Sequence, residues 1–192
     1  MITYQVVIFK INNMYGHMMV KVDATLYPIV LAIAALAATA CWFIGLNLIG
    51  GKRGKMFTPE FLSQWDKEHE AAMGAGTKVA GGGYPDCGTG KYSEKLSYAD
   101  WMAFNLEQRS HKNFIENLAI FVFTIMAVGV VYPLTAVIIG AIWLVLRIAA
   151  GCGYKMSAKA RVLPTQLMLL TTMVMFIMAI VSCCMWIYAT PW

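Results

Sequence analysis

Two stretches of this chain, residues 24–51 and residues 162–192, contain no Asp, Glu, Lys or Arg. Each exceeds the roughly 20 residues that a helix needs to cross the hydrocarbon core of a bilayer. Two further apolar stretches follow Arg109: residues 114–131, interrupted only by Glu116, and residues 134–154, interrupted only by Arg147. Val131-Tyr132-Pro133 reads as the hairpin between them. Alternation at period two is absent, so a transmembrane β-barrel is not supported. The expected fold is all-α: an integral membrane bundle of four helices over about 26–49, 101–131, 134–154 and 162–188. The second helix should begin as a polar extension, with Ser97 and Asp100 forming a start of the capping-box kind. Composition agrees. Apolar residues make up 59% and charged residues 13%, against roughly 45–50% and 25% in soluble domains, which excludes disorder.

Lys and Arg give the orientation. Lys52, Arg53, Lys55, Lys67, Lys78, Lys91 and Lys95 fall between helices one and two, and Lys155, Lys159 and Arg161 fall between helices three and four. The opposite face carries only Lys10 and Lys21. Positive-inside reasoning places both basic loops on the cytosolic or matrix side and both termini across the membrane, a four-pass topology. Much of the net charge of +5 is then topological. Basic residues interleaved with aromatics on a wet face are not evident, so no nucleic-acid partner is expected; membrane lipids are.

Residues 1–23 form an N-terminal extension with neither the apolar run of a signal peptide nor the composition of a transit peptide. Cys41, Cys87, Cys152, Cys183 and Cys184 are odd in number and include no CxxC, and His17, His69 and His111 are scattered, so no metal site is expected. The segment 60–99 reads as an inserted, glycine-rich loop. Its middle invites a phosphate-loop reading, but Gly90-Lys91 is followed by Tyr92, and no strand precedes or helix follows as that mechanism requires. A loop of this length is either functional or disordered unless something packs against it.

Ionisable residues inside a membrane are costly and so point to function. At helical pitch, Asn105, Arg109, Asn113 and Glu116 share a face of helix two. On helix three, Arg147 and Tyr154 lie seven residues apart, with Gly151 and Gly153 leaving room, and Arg161 starts helix four. Such a set suits a small zwitterion with more than one carboxylate: guanidinium forks grip the carboxylates, and Glu116 takes an ammonium. Spacing alone equally accommodates a solvated helix end at Arg109, a snorkelling Arg147 and an interfacial Arg161.

The run Phe104-Asn-x-x-Gln-Arg-x-His-x-Asn-x-x-Glu116 resembles the signature of the MAPEG family, membrane-associated proteins of eicosanoid and glutathione metabolism, and most of all its type-3 microsomal glutathione S-transferase branch. The four-helix plan, the Lys52-Arg53 end of helix one and Arg147…Gly153-Tyr154…Arg161 extend the resemblance. It implies a single four-helix domain over 1–192, a homotrimer, and glutathione as co-substrate. Arg109, His111, Asn113, Glu116, Arg147 and Tyr154 would bind it, with Lys52 or Arg53 reaching a carboxylate. Arg161 matches the arginine that stabilises the thiolate for attack on a lipid electrophile or hydroperoxide. The chain departs from the pattern at Ala150, in the turn after Tyr154 and in the 60–99 insertion. That insertion carries the alternative: a structural accessory subunit in a larger hetero-complex, such as a mitochondrial respiratory assembly. Endoplasmic reticulum and mitochondrial membranes are both compatible.

Overall fold

The computed structural model describes residues 22–157 and 159–189, so most of the expected N-terminal extension lies outside the described residues. Five helices are long enough to label: α1 (Tyr27–Asn47), α2 (Asp66–Met73), α3 (Tyr98–Val131), α4 (Pro133–Met156) and α5 (Val162–Ala189). A π-helical turn over Leu48–Arg53 and a last turn over Gly54–Met56 prolong α1. With that extension α1, and likewise α3, α4 and α5, is long and apolar enough to cross a membrane, and the protein is an integral membrane protein. The chain divides into two compact units: residues up to Ala40 together with those from Phe114 onward, and Cys41–Asn113.

The first unit is the helical bundle. Asp23 starts α1 by accepting from the backbone N–H groups of Thr25 and Leu26, both at 2.8 Å. Tyr132 breaks the α3–α4 path at φ −125° and ψ 65°, and Pro133 opens α4 at a position whose missing N–H costs nothing. Lipid tails offer helices no hydrophobic reason to associate, so close backbone approach and internal hydrogen bonds must hold them. Both are present. Gly140 of α4 lies against Ile125 of α3 and Ile33 of α1, where even a methyl group would collide. Gly129 of α3 does the same against Val30, at 2.9 Å from a notional Cβ. Trp143, fully buried, stacks on Phe121 at 3.9 Å and donates its indole N–H to Thr172 Oγ1 at 3.0 Å. Thr172 in turn donates to the Met168 carbonyl at 2.9 Å, so no polar atom of this pair is stranded in hydrocarbon. Leu36, Phe123, Ile138, Val145 and Ile180 point outward as the lipid-facing surface.

The second unit shows that the expected loop is folded. Phe57, Leu62, Trp65 and Phe104 form a buried cluster, with Met56, Phe61, Val79, Tyr92 and Leu96 around it. Ring contacts run from Phe104 to Phe57 at 5.2 Å, and from Phe61 to Trp65 to Tyr92 at 5.3 and 5.0 Å. Thr58 caps the turn over Pro59–Leu62 by accepting from Phe61 N–H at 3.2 Å. The start of α3 falls three residues earlier than the apolar pattern suggested. Ser97 Oγ accepts from Asp100 N–H at 3.1 Å and donates to the Asp100 carboxylate at 2.7 Å.

Candidate functional site

Within the bundle unit Tyr154 and Arg161 meet at the α4–α5 turn. Arg147 and Tyr154 lie on one buried face of α4, 1% and 7% exposed. The Arg147 guanidinium sits 4.8 Å from the centre of the Phe114 ring. A snorkelling arginine would leave its head group open, and this one is enclosed. Arg161 places its guanidinium 4.6 Å from the centre of the Tyr154 ring. Gly153 makes that approach possible: a Cβ there would stand 2.7 Å from Arg161 Cα and 2.8 Å from its nitrogen, both backbone atoms that cannot swing aside. Gly153→Ala is therefore expected to cost about 1–3 kcal/mol through overpacking. Thermal melting in detergent checks this against Gly50→Ala, where the added methyl meets nothing. Equal melting of the two variants would show that the turn has slack.

Glu116 also belongs to this unit and is exposed on α3. It lies 15 residues before Val131, about 22 Å at 1.5 Å per residue. That depth is inside a hydrocarbon core of about 30 Å. A bare carboxylate there costs a few kcal/mol, so this face calls for a polar ligand or another protein surface.

In the second unit, Arg109 is exposed, Asn113 and Lys52 are half-buried, and half-buried His111 sets its imidazole against Gly45, 2.7 Å from where a Cβ would be. The structure therefore explains His111 by close helix packing. Asn105 turns to the insertion, donating to the Gly88 carbonyl at 2.8 Å and to that of Trp101 at 3.0 Å. Arg53 is 3% exposed. It donates to the Gly82 carbonyl at 2.7 Å and to the Asp86 carbonyl. The Tyr84, Phe104 and Phe57 rings surround it at 4.1, 5.4 and 5.7 Å.

Sequence reasoning passed over Asp86 and Phe114. The Asp86 carboxylate accepts from the backbone N–H groups of Gly88, Gly90 and Ser93 at 2.7, 3.1 and 2.7 Å, and from the Ser93 hydroxyl. Burial pushes this carboxyl up, but the hydrogen bonds from Ser93, Gly88 and Gly90 outweigh burial and hold it below the ordinary aspartate value. The signal was present in Asp86-Cys-Gly88, an aspartate two residues before a glycine that can take the φ of +100° its turn requires. For Phe114 the only signal was an aromatic beside Asn113, and nothing in that spacing pointed to Arg147.

The model of the MAPEG family matches residues 68–181. The matched span holds Arg109, His111, Asn113, Glu116, Arg147, Tyr154 and Arg161; Lys52 and Arg53 precede it. No curated protein matches the chain.

Proposed function

Because that match covers more than half of its length, the chain belongs to the MAPEG family, and on this premise we propose that it is a membrane-bound glutathione S-transferase or peroxidase of the type-3 kind. The family includes glutathione transferases and peroxidases. One observation carries the reading: a bundle with no other buried charged side chain among its described residues keeps Arg147 enclosed and holds Arg161 over Tyr154 at its α4–α5 turn. A bundle needing only stability would do as well with apolar residues of similar volume there.

Arg109, Asn113, Glu116, Arg147 and Tyr154 would hold the carboxylates and ammonium of glutathione, with His111 and Lys52 as further candidates. The Arg161 guanidinium would face the thiol. A fixed positive charge at that position favours the thiolate, so the proton leaves to water without a general base. The sulfur then forms a bond to an electrophilic carbon of a lipid as the π bond of a conjugated carbonyl or the C–O bond of an epoxide breaks, and the anion so formed takes a proton from water, giving a thioether. With a lipid hydroperoxide, two glutathiones are instead oxidised to the disulfide while the peroxide is reduced to an alcohol and water. Exposed Glu116 and Arg109 on α3 support assembly with further copies, for which the resemblance implies a trimer, in an endoplasmic reticulum or mitochondrial membrane.

Glutathione added to the detergent-solubilised protein at neutral pH should raise the ultraviolet absorbance of a thiolate. Absence of both that signal and glutathione binding sinks the reading. The folded insertion favours the second reading, an accessory subunit of a larger membrane complex, because a packed insertion offers a defined surface to a partner. Particle mass separates the two: near three chains for the enzyme, far larger for the subunit.

A further inference from the structure

We propose that Arg53 is the positioning residue that anchors the insertion to the end of α1, and that it is withheld from the glutathione ligand. The resemblance offered Lys52 or Arg53 as a group reaching a ligand carboxylate, and the geometry around Arg53 leaves no room for that role. A guanidinium binds a carboxylate through two N–H groups aimed at two oxygens in one plane. In this chain two main-chain oxygens, those of Gly82 and Asp86, already accept from Nη1 and Nη2. The insertion supplies from within the chain what the ligand would have supplied.

The remaining surroundings fix the choice. Three aromatic rings close around the guanidinium, and the residue is 3% exposed. One of them, Tyr84, comes from the insertion itself, between the two accepting carbonyls. Nor is the insertion a loose strap that a ligand displaces cheaply. Gly83, at φ +67°, lies where a Cβ would be 2.6 Å from the Phe57 ring, and Gly88 would put one 2.7 Å from Asn105 Oδ1. Asn105 forms a second anchor from α3 through the Gly88 carbonyl. To free Arg53 for a ligand, both carbonyls would lose charged donors and the Phe57–Phe104 cluster would open. Half-buried Lys52 is then the cation of the pair left for an acidic group.

The exchange arm of the test stands alone, and its affinity arm rests on the glutathione reading. Hydrogen–deuterium exchange over residues 80–95 is followed in the detergent-solubilised full chain for wild type, Arg53→Met, Arg53→Lys and Asp86→Ala, together with glutathione titration. Arg53→Met should speed exchange of this segment at least tenfold, and Arg53→Lys, which supplies a point charge without the fork, should fall between. Asp86→Ala loosens the same segment while leaving the Arg53 side chain in place. If glutathione affinity is the same in Arg53→Met and Asp86→Ala, any change comes through the insertion and the assignment stands. Wild-type exchange in Arg53→Met overturns it, as does a tenfold loss of affinity confined to Arg53→Met. If the wild type binds no glutathione, the failure belongs to the enzyme reading, and exchange alone decides the anchor.

Discussion

Arg161→Ala is expected to abolish the thiolate absorbance of bound glutathione and to lower turnover about 10²–10³-fold, the cost of removing one preorganised charge-stabilising group. Glutathione should still bind, because the proposed reading assigns its carboxylates and ammonium to other residues. The expectation rests on how Arg161 is held. Among the described residues no carboxylate lies within ion-pair distance of it, and the face of Tyr154 fixes the guanidinium without neutralising it. Its charge therefore remains available to an incoming anion. Two controls make the assignment specific. Tyr154→Phe keeps the ring and should keep the thiolate signal, whereas Arg161→Lys should restore only part of it, because a point charge on a flexible stem does not reproduce a fork. Normal absorbance and turnover in Arg161→Ala would remove this residue from the chemistry.

The other large effect is structural. Asp86→Ala is expected to cost the insertion about 3–5 kcal/mol, the penalty for deleting an enclosed charge that satisfies several donors. Three backbone N–H groups and the Ser93 hydroxyl lose their acceptor together, and Ser93 is fully buried. Limited proteolysis within residues 74–96 should become rapid while the melting of the helical bundle changes little. Cleavage at the wild-type rate would show that the aromatic cluster holds the segment unaided. Acidity should act in the same direction. The folded-state value of Asp86 is depressed, so its stabilisation is complete above the ordinary aspartate value of about 3.9 and is lost as pH falls through the folded value. Acid should open the insertion in the wild type and have no such effect through this residue in Asp86→Ala.

The bundle was legible because membranes impose one rule on everything within them: long uncharged runs must be helices. The spans, the Tyr132-Pro133 hairpin and the Ser97 cap all follow from local chemistry. The insertion was not legible for the opposite reason. Its cluster joins Phe57, Leu62 and Trp65 to Phe104, far along the chain, a pairing that no local period announces, and its glycines serve tight turns and ring contacts. The candidate site divides the same way. That Arg147 and Tyr154 share a face of α4 followed from their spacing, but the enclosure of the Arg147 head group, in place of a snorkelling one, did not. That Asn105, on the stripe with Arg109, should turn to the Gly88 carbonyl did not, because that partner lies 17 residues away in a segment without periodicity.

Helix α3 has a consequence for how its motif responds to the medium. At 34 residues it is about 51 Å long, some 20 Å more than the hydrocarbon it crosses. With Val131 at one edge of that core, Glu116 would lie within the hydrocarbon and Arg109, about 33 Å away, at the opposite water's edge. Dissolved ions therefore screen the attraction that Arg109 exerts and leave that of Glu116 nearly untouched. On the proposed reading, a single turn-by-turn motif would work in two solvents, capturing an anion from water at one end and discriminating among polar groups in a dry medium at the other.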